Sequence, residues 1–341
     1  MARVLFAGVF ATPSSNNNPQ LEAFRKAGVE VVPFDYRQEA RRERRGRVRR
    51  ALNLLLWGFR LRFFPGFLRR LFFRERGRRR MASRLLETTR QGEYDLIFLS
   101  KVEELDYRLL PELRGHAPVF YYFMDPVKTG RFVQADEYAK RATYASATFS
   151  DVVEWFRQAG ADARQIVQGV DPGQYALARR IKRKRYDVVF AGTMDQRRRR
   201  FLEALREAGI SVTCFGKGTP NGPVFNERLM KEYAKARIVL NLVRKGKGFS
   251  VRVFEAMASG SLLLTEYCED LELFFSRGKQ LDWFSSFDEC VRLIKHYLSH
   301  EKEREAIAKR GEEMVFEKFT WDKQIRKILG FCDDGTGKRV V

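Results

Sequence analysis

The sequence is poor in cysteine and histidine. Cys214, Cys268, Cys290 and Cys332 stand far apart in a chain of 341 residues, with no Cys-x-x-Cys pair and no zinc spacing. That excludes a disulfide scaffold and fits a reducing, cytoplasmic setting. Of the three histidines, His296 and His300 lie four apart on a predicted helix. A solvated helix end is a better reading of them than a metal face. No Asp-x-Asp pair lies near a phosphate candidate. There is no Gly-x-x-x-x-Gly-Lys-Ser/Thr loop and no Gly-x-Gly-x-x-Gly, which argues against a nucleotide hydrolase or a nicotinamide enzyme. Long uncharged apolar runs are also missing. The apolar stretch of MARVLFAGVFATPSS is too short for a signal peptide with its cleavage site and far too short to cross a bilayer. It reads as a first buried strand.

What is present is positive charge and a large apolar content. The chain is 44% hydrophobic and 13% aromatic, which suits a folded protein long enough for two cores. Its net charge is +22. Residues 37–90 hold nineteen arginines, no lysine and four acids, Glu39, Glu43, Glu75 and Glu87. Within them, ALNLLLWGFRLRFFPGFLRRLFF (51–73) places apolar residues at helical spacing. Leu55, Trp57, Phe59, Phe63 and Phe64 are its candidate anchors, and Arg60, Arg69 and Arg70 form the basic rim. The arginines prevent a simple transmembrane reading. An anionic membrane surface is the expected partner of such an element. Nucleic acid, the other polyanion, is less favoured because no compact recognition motif accompanies the charge. An ordinary core helix with solvated basic flanks is the third reading.

Strand-like runs alternate with helical patterns along the chain. RVLFAGVF, VEVVPFDY, YDLIFLS and APVFYYFMD read as strands of a first series. YDVVFAGT, ISVTCFG, IVLNLV and LLLT read as strands of a second. Alternation of this kind implies parallel sheets covered by helices on both faces. The expected fold class is therefore α/β, with two doubly wound Rossmann-like domains facing a cleft and a basic amphipathic helical insertion in the first. The expected boundaries are 1–168, with the basic element at about 38–91, then 169–330, then a tail at 331–341. The last helix is expected to pack back on the first domain.

Ligands of such sheets sit beyond the carboxyl ends of the strands. Three segments of the second series converge there. FAGTMDQRRRR brings Gly192, Thr193, Arg197 and Arg198; NLVRKGKGFS brings Asn241; and the stretch from Ser250 opens a helix through Arg252 to Glu255. A helix N-terminus attracts an anion, and arginines in the same place make sense as phosphate clamps. Glu255, a carboxylate within an apolar helix, could accept hydrogen bonds from a pair of ligand hydroxyls. The bland alternative is that Arg252 and Glu255, three apart, simply pair.

GFSVRVFEAMASGSLLLTE, YDVVFAGTMDQRRRRFLEAL, IVLNLV and FTWDKQI together resemble GT-B fold glycosyltransferases, in particular the family 4-like, CgeB-like (spore-protein-type) branch. VQGVDPGQY and YYFMDPV look like further pieces of that superfamily. The resemblance covers roughly residues 94–330. It implies that Glu255 holds the ribose of a nucleotide-diphosphate sugar and that Arg197 or Arg198, with Arg198 preferred, holds the diphosphate. Many members carry a second glutamate eight residues before; this chain has Lys247 there. The resemblance further implies sugar transfer with no metal and no cofactor beyond the donor substrate. Asp125 and His116 are the candidates for a catalytic base, and Gly8 and Ser14 for the acceptor-side loop. A lipid-linked or anionic glycan acceptor at the cytoplasmic face of a membrane is the expected partner. A GT-B-shaped epimerase and a non-catalytic basic binding protein are the alternatives.

Overall fold

The computed structural model describes residues 1–12, 15–42, 66–102, 104–243 and 247–336. The chain forms two compact units. The first comprises residues 1–147, 152–164 and 325–341, and the second residues 148–151 and 165–324.

The first unit is built on a six-stranded sheet. Its strands are β1 (Arg3–Gly8), β2 (Glu30–Asp35), β3 (Leu96–Ser100), β4 (Val119–Phe123), β5 (Tyr144–Ala147) and β6 (Ala163–Gln165), in the order β2-β1-β3-β4-β5-β6. The pairings of β1 with β2 and β3, of β3 with β4 and of β4 with β5 are parallel. LIFLS and VFYYF are buried at every position, as strands covered on both faces must be. Pro33 is tolerated because β2 lies at the sheet edge, where its missing N–H costs no ladder bond. Helices α1 (Asn17–Lys26), α2 (Tyr36–Arg42), α3 (Gly66–Gln91), α4 (Leu110–Arg114), α5 (Val127–Val133), α6 (Ala135–Ala139) and α7 (Ser150–Gln158) accompany the strands. Phe6, Phe24 and Phe98 meet edge to face in the core.

The second unit has a five-stranded parallel sheet, ordered β11-β10-β9-β7-β8. Its strands are β7 (Tyr186–Ala191), β8 (Val212–Phe215), β9 (Ala236–Asn241), β10 (Leu262–Glu266) and β11 (Asp282–Phe284). Helices α8 (Gln196–Glu207), α9 (Asn226–Ala234), α10 (Arg252–Ala258), α11 (Asp270–Phe274), α12 (Phe287–Ser299) and α13 (Glu301–Lys318) complete it, with apolar clusters on both sheet faces. Gly216 follows β8 at φ +131°, and a Cβ there would stand 2.0 Å from the Gly192 carbonyl oxygen. Only glycine allows that approach. The buried Asp270 carboxylate accepts from the Ser150 backbone N–H and hydroxyl and from Gln165 Nε2 at 3.2 Å.

A last helix, α14 (Trp321–Thr336), starts in the second unit and continues into the first. It runs past residue 330, so part of the expected tail is helical. In the first unit its Phe331 ring lies 5.2 Å from Tyr144 and 5.8 Å from Phe120.

Among the described residues no helix is long and apolar enough to cross a membrane. Leu55, Trp57, Phe59, Arg60, Phe63 and Phe64 lie outside the described residues, as does Ser14. Arg69 and Arg70 fall within the span of α3, with their side chains outside the description.

Candidate functional site

In each sheet the chain reverses its winding direction at one point, and loops there diverge to opposite faces. In the second unit that point lies between β7 and β9. It collects the carboxyl ends that carry Gly192, Thr193 and Asn241. Asn241 is 2% exposed; its Nδ2 donates to Thr265 Oγ1 at 2.9 Å, and its Oδ1 is buried without a hydrogen-bond partner. Glu266 at the end of β10 accepts from Arg197, while its Oε2 is buried without one. Two acceptor atoms at one strand edge are therefore unmet, a state that costs free energy unless a ligand or water supplies donors.

Arg197 and Arg198 open α8 and point differently. Arg197 is half exposed, donates to the Val243 carbonyl at 3.1 Å and pairs with Glu266. Arg198 is 4% exposed, and its guanidinium donates to the carbonyls of Thr193 at 3.0 Å and Leu242 at 2.9 Å. It ties the end of β7 to the end of β9. The expectation that favoured Arg198 as the diphosphate ligand is thus corrected in geometry: Arg198 holds the loops, and Arg197 is the arginine that faces solvent.

Glu255 sits in the first turn of α10. Arg252 and Glu255 do not form an ion pair: among the described residues the Glu255 carboxylate makes no hydrogen bond or salt bridge. Burial raises its pKa, and Arg252 opposes the rise only in part. Its surroundings are two fully buried phenols. Burial, then the Glu255 charge, raises the Tyr175 pKa; burial likewise raises that of Tyr233, with Arg252 opposing and Glu255 adding to the rise. The helix start is anchored by the buried Gln168, whose Oε1 accepts from the Val251 N–H at 3.0 Å. Ser250 is exposed beside it. α10 has only seven residues, so its terminus contributes less than a long helix would. Lys247, in the place of the expected glutamate, pairs with Glu269 at 3.0 Å.

Sequence reasoning missed Gln168, Tyr175, Tyr233 and Glu266. Glu266 was legible, as the acid that ends a buried strand. The other three depend on tertiary packing. His296 and His300 stack at the end of α12, and His296 Nε2 lies 2.8 Å from Glu303. Among the described residues no cluster is able to hold a metal ion.

In the first unit the reversal lies between β1 and β3. Gly8 ends β1, and a Cβ there would meet Asn17 at 3.0 Å. Its absence lets the buried Asn17 approach: Oδ1 accepts from the Val9 N–H at 2.8 Å and Nδ2 donates to Ser100 Oγ at 2.7 Å. Asp35 accepts from the N–H groups of Phe10 and Ala11, each at 2.8 Å. Asp125 follows β4 at the carboxyl edge and pairs with Lys101 at 2.8 Å. Lys101 itself has φ 56°. His116 is corrected outright. It is exposed and precedes β4, at the amino edge of the sheet. Five strand residues place it roughly 17 Å from the carboxyl edge, too far to act there as a base.

The residues that carry this geometry fall largely within 197–330, which match the family model described as glycosyl transferase-like. The match is to that segment, less than half of the chain. In sequence, no curated protein matches. In structure, the chain is similar to Anabaena HepE crystallised with UDP and glucose, at TM-score 0.65 and 15% identity, over 98% of this chain and 100% of that one. It is also similar to sucrose-phosphate synthase from Thermosynechococcus elongatus, at TM-score 0.62, 13% identity and coverage of 98% and 99%. A glycosyltransferase from Rickettsia africae gives TM-score 0.61 at 8% identity, with 98% of each chain covered. The fold is that of GT-B glycosyltransferases: two Rossmann-like units, each on a parallel sheet.

Proposed function

We propose that the protein is a glycosyltransferase that takes its sugar from a nucleotide-diphosphate donor, without a metal ion, at an anionic membrane surface. One observation carries the reading. Glu255, inside the segment that matches the glycosyl transferase-like family, keeps an unpartnered carboxylate that burial destabilises. Among the described residues no side chain donates a hydrogen bond to it, and a vicinal diol would supply two donors. The ribose of a nucleotide is that diol. Further support comes from Anabaena HepE, whose structures hold UDP, glucose and UDP-glucose.

In this reading Arg197 and Arg252 face the diphosphate and stabilise the charge that grows on it as the sugar departs. Arg198 positions the two loops. Asn241 Oδ1 and Glu266 Oε2 accept hydrogen bonds from the donor. Asp125, charge-balanced by Lys101, lies on the acceptor unit. The arginine-rich region at 37–90 supplies attraction to an anionic acceptor surface.

The test is a thermal-shift panel of UDP, GDP, ADP, CMP and dTDP on the full chain, with and without magnesium. One diphosphate is expected to raise Tm, equally in both conditions. A ligand at a hundredfold over its Kd adds about 2.7 kcal/mol. A flat panel on folded protein overturns the reading. The Lys247–Glu269 pair, where a glutamate is expected, favours a second reading in that case: a non-catalytic protein that binds an anionic polymer on the same fold.

A further inference from the structure

The first unit contains a cavity that the donor site does not use. It has a volume of about 400 Å³, at the small end of the range of ligand pockets. Its walls come from three places: Arg78 on α3, the turn at residues 104–108 that follows β3, and the junction of α5 with α6. The walls are firmly held. Arg78 Nε donates to the Glu104 carbonyl at 2.9 Å, and the buried Tyr138 hydroxyl donates to the Leu105 carbonyl. Asp106 caps its turn by accepting from the Arg108 N–H at 3.0 Å. Tyr107 stands edge to face against Tyr138, with the Arg141 guanidinium 4.9 Å from its centroid. Gln134, at φ 56°, makes the left-handed corner between α5 and α6.

Phe132 rims this cavity and is 89% exposed. It has no aromatic neighbour among the described residues. An exposed phenylalanine alone needs no explanation. One at the mouth of a preformed polar cavity is different, because a ligand entering there covers its ring. The charges in the cavity indicate what that ligand is. Arg78 and Arg108 are balanced by Glu104 and Asp106, in a protein whose net charge is +22. Two carboxylates oppose a phosphate or an acidic polymer. The lining offers both donors (arginine and amide N–H) and acceptors (carboxylate and amide oxygen), as groups that must satisfy hydroxyls do, since each hydroxyl both donates and accepts. An open phenyl face suits the C–H side of a sugar ring.

We propose that this cavity is a carbohydrate site that holds an uncharged pyranose unit of the acceptor. That the sugar is the acceptor rests on the transferase reading; that the ligand is a neutral pyranose rests on the cavity itself.

Saturation-transfer NMR on the full chain with UDP present tests it, using methyl α-glucopyranoside, methyl β-galactopyranoside and N-acetylglucosamine as probes. At least one probe is expected to receive saturation on its ring protons. Phe132→Ala and Asp106→Asn are expected to reduce that signal at least fivefold and leave the UDP signal unchanged. Both side chains are exposed, so the variants fold. Three results overturn the proposal: no transfer to any probe from folded protein, transfer unaffected by both variants, or displacement of the probe by inorganic phosphate. Loss of the UDP signal alone, with the pyranose signal intact, refutes the donor site and leaves this cavity's assignment standing.

Discussion

Arg197 and Arg198 are adjacent in sequence and opposite in role, and a helical wheel separates them. Arg198 shares its face with Leu202 and Leu205, the other buried residues of α8. That i, i+4, i+7 spacing marks the core side of a helix and was legible. Resemblance favoured Arg198 because it ranks residues by motif position and not by face. Arg198→Ala orphans the carbonyls of Thr193 and Leu242, and it is expected to cost about 2–3 kcal/mol in a denaturant titration. Arg197→Ala loses only a half-exposed pair, worth about 1 kcal/mol or less. It is expected to weaken diphosphate binding at least tenfold in calorimetry, with folding intact. If Arg197→Ala binds like the parent, the diphosphate role is wrong.

Glu255 gives a prediction of opposite sign. Its pKa is raised by burial, so the folded protein holds the proton to higher pH than the unfolded chain. Stability from this group is full below the unfolded carboxyl range and falls as pH rises through the folded pKa. Glu255→Gln does not titrate. Without ligand it is expected to melt above the parent at pH 7, with the difference vanishing in acid, while nucleotide binding drops at least tenfold. A variant less stable than the parent at pH 7 would mean that the carboxylate has a structural partner.

At the scale of elements, strands were the most legible part. Long buried runs such as LIFLS and VFYYF suit strands covered on both faces, and the alternation with helical patterns makes the sheet parallel. Helix starts were less so: Asp151 is the kind of residue that caps a helix, yet α7 begins at Ser150 and takes Asp151 into its first turn. Connections between elements were not legible, and Lys184 illustrates why. Its Nζ donates to the carbonyls of Ala234 and Gly260 and to Ser261 Oγ, joining the end of α9 to the turn before β10. In the sequence it is one residue of a basic linker. Burial and then Arg304 lower its pKa to about 8, against Glu305 and Glu312. The folded chain therefore loses this proton before the unfolded chain does, and its stability rises between pH 8 and about 10.5. Subtracting the pH profile of Lys184→Met from that of the parent is expected to isolate that rise. Parallel profiles would show that the amine is as well solvated folded as unfolded.

At the scale of the whole molecule, the two-unit α/β fold was readable from alternation alone, and the proposed donor side rests on one helix and two strand ends. The cavity at Phe132 was not readable, because it is assembled from α3, a turn and a helix junction that no motif connects. The charge distribution yields one prediction at this scale. Sedimentation with anionic vesicles is expected to pull the protein down at low salt and to release it progressively as salt rises. Binding that ignores salt would assign the attraction to apolar insertion, and no binding would remove the membrane from the proposal.

α14 has a consequence for the order of assembly during synthesis. Phe331 and Cys332 close the first unit against Phe120 and Tyr144, yet the ribosome makes them after all of the second. Domains usually fold in the order in which they emerge. Here the unit that emerges first must wait with an open seam while its successor folds. The seam is aromatic and apolar, so during that interval it is the part of the nascent protein that a chaperone would recognise.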